Sequence, residues 1–212
     1  MKHLFIINPV AGKGKALEYI PEIKKLFAKR KNDIYFIEIT EKPGHAIEIV
    51  KNYVSRDTYR VYSIGGDGTL NEVLNGLVGS DSSLAVIPAG SGNDFVKSIK
   101  NYSFYNIAKE DFKISLLKSL VDGEEEPIDI GKVNDRYFIN ISSIGFDAIV
   151  VHKTNTFKKF PFVTGLFAYI LGVLFTLISY GKNIVNISID GKSFEVCTLL
   201  IAIANGKYYG GG

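Results

Sequence analysis

Gly65, Gly66 and Gly68 crowd around one aspartate, Asp67, where the hydrophobic pattern of the chain changes period. Before them, Val61, Tyr62, Ser63 and Ile64 read as a strand. After them, Leu70, Val73, Leu74 and Leu77 recur at i, i+3, i+4 and i+7, the stripe of a helix. Strand, glycine turn and helix start together present backbone N–H groups and a positive dipole end to an anion. Glycine suits such a turn because a Cβ would block close backbone approach and disfavour positive φ. Asp67 is the odd member. A carboxylate beside a phosphate repels it unless it orients a metal, a metal-bound water or a proton in transit. The segment points to phosphoryl chemistry.

The rest of the first hundred residues repeats this grammar. Residues 4–7 read as a buried strand stopped by Asn8-Pro9, with Gly12 and Gly14 next and a helix pattern from 16 to 29. Pro21 lies inside that pattern, so it must open a helical turn or kink the helix. Residues 34–39 form a second strand and 60–64 a third. A helix carrying Ile47, Val50 and Val54 stands between them. Residues 84–87 form a fourth strand, ending at Pro88-Ala89-Gly90-Ser91-Gly92-Asn93-Asp94. Alternating strands and helices predict a parallel sheet covered on both faces, with a ligand crevice beyond the carboxyl ends of the strands. The glycine-bearing segments 8–14, 65–69 and 90–94 all fall at such ends.

The texture changes near Asp122-Gly123. A helix over 114–121 closes the first part. Strands are expected at 127–133, 136–142, 184–189 and 194–204, with hairpin turns at Asn134-Asp135 and Asp190-Gly191. The expected fold class is therefore α/β: a wound nucleotide domain over 1–123, then an incomplete, mostly antiparallel β-sandwich over 124–212. Residues 160–181 carry no charge. The run is long enough to cross a bilayer, but Pro161, Gly165, Gly172 and Gly181 and the flanking β segments favour a helix packed in the protein with one face toward lipid.

Composition narrows the function. Hydrophobic residues make up 46 % and charged ones 22 %, which excludes wholesale disorder, and the net charge of +3 permits an anionic partner without demanding one. Lys24, Lys25, Lys29, Arg30 and Lys31 read as a solvated helix face, so no nucleic acid is expected. The single cysteine, Cys197, excludes an internal disulfide framework and reads as a buried structural thiol. The first residues lead straight into a patterned fold and predict a cytoplasmic protein.

The residues 8–15 match neither the usual triphosphatase loop nor the dinucleotide fingerprint, whose third glycine position holds Leu17. Ser91, Asn93 and Asp94 suit a helix cap, but their place opposite the 65–69 turn in a wound sheet favours a polar crevice lining, and the two roles can coexist. Thr40, at the end of the second strand, reads as a terminator or as a hydroxyl facing a nucleotide. Asp129 and Asp147 read as solvated or satisfied polar residues. His3, His45 and His152 have no catalytic spacing.

Taken in order, Asn8-Pro9 with Gly12 and Gly14, Gly65 through Glu72, and Pro88 through Phe95 resemble the diacylglycerol kinase catalytic domain family, soluble lipid kinases related to sphingosine kinases. The segments 128–131 and 205–212 are also similar to that family. The resemblance implies an ATP-dependent kinase acting on a lipid alcohol such as diacylglycerol. It also implies a nucleotide in a cleft between an α/β domain and a β-sandwich. Carried over by position, Asn8, Thr40, Gly65, Gly66, Asp67, Gly68, Thr69, Asn71, Glu72 and Ser91 would line the ATP site. Asp67, Asp94 and Asp129 would support Mg2+ through water, with Asp67 in the catalytic network. The family continues past Gly212 into segments holding its direct metal ligands and acceptor base. The chain is thus expected to be truncated and inactive in transfer. The resemblance further implies a peripheral place at the inner membrane face, a lipid substrate there, and allows a homodimer. The Gly-Gly-Asp-Gly core is shared with NAD kinases, so an NAD kinase and a non-catalytic nucleotide-binding module remain the alternatives.

Overall fold

The computed structural model describes residues 1–99, 112–157, 160, 165–181, 183–208 and 210. By internal packing the chain divides into two compact units, Met1–Asn140 with Asn205–Gly212, and Ile141–Ala204. The expected boundary at 123 falls inside the first unit.

The first unit is built on strands β1 (Lys2–Ile7), β2 (Ile34–Ile39), β3 (Arg60–Gly65) and β4 (Ser83–Pro88), all parallel, in the order β2-β1-β3-β4. β3 is buried along its whole length, which is why it reads as a near-continuous apolar run and not as an alternation. Helices α1 (Tyr19–Phe27) and α5 (Phe112–Asp122) cover one face, where Phe5, Ile7, Tyr62, Ile64 and Ile87 meet Ile23, Leu26, Leu116 and Leu117. Helices α2 (His45–Val54) and α3 (Asp67–Leu77) cover the other, where Leu4, Ile6 and Val61 meet Ala46, Val50 and Val73. Successive strand residues thus feed opposite layers, as the pleat requires. Gly76 sets the α2–α3 distance, since a Cβ there would lie 2.7 Å from Val50 Cβ.

The helix expected over 16–29 begins differently. Ala11–Glu18 is a 3₁₀ segment interrupted by left-handed residues at 12–14, and α1 starts only at Tyr19. Pro21 sits in its first turn, where a missing N–H costs nothing. At the amino ends of the strands, buried Arg60 donates to the Leu120 and Val121 carbonyls and to Glu125, capping α5. His3 is also buried there, with Nδ1 2.9 Å from the Tyr62 hydroxyl.

The first unit also holds α4 (Asp94–Ser98) and the hairpin β5 (Gly131–Val133) and β6 (Arg136–Phe138), turned through Asn134 at φ 52°. The strand expected over 127–133 pairs only from Gly131. Asn75 on α3 stands in for a neighbouring strand. Its Nδ2 donates to the Tyr137 carbonyl, and its Oδ1 accepts from the Tyr137 N–H, each at 2.9 Å. The chain leaves this unit at Asn140 and returns at Asn205. The Asn205 and Gly206 N–H groups both donate to the Asn140 carbonyl, and Asn205 Nδ2 reaches the carbonyls of Asp129 and Ile139.

The second unit holds β7 (Ile141–Gly145) paired antiparallel with β10 (Leu200–Ala204), and the hairpin β8 (Asn183–Ile189) and β9 (Lys192–Thr198). The strands expected at 136–142 and 194–204 are therefore each divided. Cys197, expected buried, is exposed. Helix α6 (Phe146–Phe157), absent from the sequence expectation, packs on α7 (Gly165–Ser179). Of the run 160–181, residues 161–164 lie outside the described residues. Helix α7 is packed inside out. Ala168, Gly172 and Thr176 are buried, and a Cβ on Gly172 would lie 2.5 Å from Thr154 Oγ1. Phe167, Ile170, Leu174, Leu177 and Ile178, which share the opposite arc of the helix, are exposed, Ile178 by 86 %. Among the described residues no helix is long and apolar enough to cross a membrane.

Candidate functional site

In the sheet order β2-β1-β3-β4 the chain winds outward in opposite directions from β1 and β3, so the crevice of the sheet opens beyond the carboxyl ends of those two strands. Asn8 and Gly65 occupy those ends. The Asn8 N–H extends the sheet to the Ile64 carbonyl at 3.0 Å, while its side-chain Nδ2 crosses to Thr69 Oγ1 at 3.0 Å. Its Oδ1 accepts from the Val10 N–H and turns the following loop. Gly12, Lys13 and Gly14 then run through three successive left-handed conformations, with φ of 59°, 59° and 94°. A Cβ on Gly12 would strike the Ala89 carbonyl.

The glycine turn and the 88–94 loop form one object. The Gly65 carbonyl accepts from the N–H groups of Ala89 (2.8 Å) and Gly90 (3.1 Å). Gly90 packs so closely that its Cβ would fall on the Gly66 Cα. Asn93, itself left-handed at φ 53°, closes residues 90–93 on themselves through two bonds to Gly90. Gly65 has its own reason: a Cβ would lie 2.5 Å from Thr69 Oγ1. Gly68, the third glycine of the turn, is exposed with open space beside it.

Asp67 heads α3, but its carboxylate serves another helix. Oδ1 accepts from the N–H groups of Asp94 (2.8 Å) and Phe95 (3.4 Å), satisfying the start of α4. Asp94 is buried and paired with Lys97 at 2.9 Å. Asp129 is exposed, and its backbone carbonyl is the group that bonds Asn205. Among the described residues no three His, Cys, Asp or Glu side chains lie close enough to hold a metal ion. The structure brings Asp67 and Asp94 together, with the Asp94 N–H on the Asp67 carboxylate. A magnesium ion that keeps several waters and is bound mainly by phosphates is compatible with two such carboxylates.

Of the other expected site residues, Thr40 is buried at the end of β2, its N–H on the Ile7 carbonyl at 2.9 Å. Asn71 is half-buried and bonded by Asn75. Ser91 is exposed on the third loop. Glu72 reaches sideways to the Gly44 N–H at 2.9 Å. The sequence alone does not single out Gly44, Asn75 or the Gly12–Ala89 approach as site elements; the one local signal among them is Pro43-Gly44, a dipeptide that punctuates the chain just before α2.

A parallel sheet with three interlocked glycine loops over its crevice can be compared with known proteins. The diacylglycerol kinase catalytic domain family matches residues 2–133. The chain belongs to that family. Residues 140–212 match the YegS C-terminal NAD kinase beta sandwich-like domain. The chain is 31 % identical over 204 residues to a protein of Bacillus subtilis (strain 168) named diacylglycerol kinase, covering 94 % of this chain and 64 % of that protein. A crystal structure described as a diacylglycerol kinase from Bacillus anthracis str. Sterne superposes with a TM-score of 0.63 at 26 % identity, over 99 % of this chain and 65 % of that one. The chain spans 56 % to 67 % of the length of four curated relatives that it matches. Family membership accounts for the order of the three loops, and the fold agrees with the α/β reading in its parallel four-stranded sheet followed by antiparallel strands.

Proposed function

We propose that the protein takes part in ATP-dependent phosphorylation of a lipid hydroxyl, that of diacylglycerol or a related lipid alcohol. The observation that carries this reading is the Asn8–Thr69 bridge across the point where the strand order reverses, with the Gly65–Thr69 turn beneath it. Backbone N–H groups at the start of α3 would face the phosphates, and Gly66 and Gly68 leave room for their approach. Thr40, Thr69 and Ser91 add hydroxyls around them. Magnesium entering with the nucleotide would be held through water by Asp67 and Asp94, and supplies positive charge to the transferring phosphoryl group. Asp67 meanwhile fixes the third loop against the first turn of α3, so the protein's contribution is positioning and electrostatics.

The inside-out helix α7 supports the lipid half of the reading. A helix that buries small residues and exposes large apolar ones suits an apolar surrounding. This is consistent with a peripheral place at a membrane surface. Incubation of the chain with γ-labelled ATP, magnesium and diacylglycerol in mixed micelles tests the reading, alongside calorimetric titration with MgATP. Labelled phosphatidate, from this chain or from a version extended to the length of its relatives, is the product that supports the reading. NADP formation from NAD without phosphatidate would replace it with the NAD kinase reading. MgATP binding with neither product would leave a nucleotide-binding module.

A further inference from the structure

We infer that Glu72 is a positioning residue that acts through Gly44, and not a direct contact of the nucleotide or its metal. The inference rests on the nucleotide reading of the site and concerns how its β2 side is held. Three observations converge. The Gly44 N–H donates to Glu72 Oε1 at 2.9 Å across 28 residues of sequence, in a half-buried place. Gly44 sits at φ 84°, a left-handed conformation that glycine takes without strain and that ends the β2–α2 loop. One turn further along α3, Gly76 meets the Ile47 carbonyl and Val50 at distances that leave no room for a side chain. The two helices are therefore locked at Gly76, and the Glu72–Gly44 bond carries that lock to the end of the helices nearest the crevice.

The loop so held runs from Thr40 to Gly44. Thr40 is fixed at its start by the Ile7 carbonyl, and within the loop the Glu41 N–H donates to His45 Nδ1 at 3.1 Å. Glu72 supplies the bond that joins the loop's far end to the helix bearing the glycine turn. Its role is that of a hydrogen-bond acceptor. A neutral acceptor of the same shape performs it equally well, whereas a ligand of magnesium or a partner of a cation would need the charge.

That difference gives the test. MgATP affinity of the chain is measured by calorimetry for wild type, Glu72→Gln, Glu72→Ala, Thr40→Ala and the Thr40→Ala/Glu72→Ala double variant, with thermal unfolding alongside. Glu72→Gln is expected within twofold of wild type and Glu72→Ala about tenfold weaker, with the double variant hardly weaker than Glu72→Ala because the two act on one loop. Glu72→Gln as weak as Glu72→Ala at unchanged unfolding temperature would overturn the inference in favour of a charge-dependent contact. Strictly additive losses in the double variant would overturn it too. A wild-type chain that binds no MgATP refutes the nucleotide reading itself, a result separate from any ranking among the variants.

Discussion

Asn8 and Thr69 are joined by a single 3.0 Å hydrogen bond between the carboxyl end of β1 and the first turn of α3, the helix that follows the neighbouring strand β3. Asn8→Ala removes it and is expected to cost about 1 kcal/mol of stability in urea unfolding. Asn8→Asp keeps a bond, because the Thr69 hydroxyl can donate to the new carboxylate. It also places a negative charge beside the phosphate approach. Asp is therefore expected to be the more stable of the two variants and the weaker binder of MgATP, an inversion that calorimetry and urea titration read together.

Two glycines test the loops in opposite ways. Gly90→Ala drives a methyl into the Gly66 backbone, and is expected to lower stability by about 2–3 kcal/mol with a matching fall in unfolding temperature. Gly14→Ala meets nothing within 4 Å and suffers only from its φ of 94°, so about 1 kcal/mol is expected. Equal losses in the two variants would mean that the Gly66–Gly90 approach is not close.

Burial pushes the His3 imidazole down to about 4 from 6.5, against the opposing pull of Asp33. A pKa lowered on folding means that the unfolded chain binds the extra proton between those values. The contribution of neutral His3 is therefore complete above pH 6.5 and is lost as pH falls, by up to about 3 kcal/mol on reaching pH 4. Urea unfolding at pH 7 and pH 4.5 should show a larger loss for wild type than for His3→Gln. Parallel losses would show that His3 does not carry the acid sensitivity.

Asn75 holds the edge of β6 by both atoms of its amide. Asn75→Leu leaves the Tyr137 N–H and carbonyl without that partner, and about 2–3 kcal/mol of destabilisation is expected. Asn75→Asp keeps one of the two bonds and should fall between. Hydrogen exchange at the Tyr137 amide gives the local readout, with protection expected to be lost in the Leu variant.

Much of this architecture is legible in the residues, and the gaps have physical causes. The parallel sheet shows through because β3 and its neighbours are buried apolar runs separated by glycine and proline. Helix α6 does not, because its β-branched residues suggest no helix stripe and only Val150 and Thr154 among its described side chains are buried. The break between β9 and β10 at Leu199 carries no turn residue to announce it. In the site, the glycines announce themselves. The bonds that organise them, Glu72 to Gly44 and Asp67 to Asp94, join residues nearly thirty positions apart. They follow from the winding of the sheet and leave no local pattern.

The paired crossing at Asn140 and Asn205 gives the chain an architecture of host and guest. Residues 141–204 enter and leave through one doorway, whose two jambs are already hydrogen-bonded to each other. All four parallel strands and all three glycine loops are drawn from the host, so the sheet and its crevice are encoded entirely outside the inserted segment.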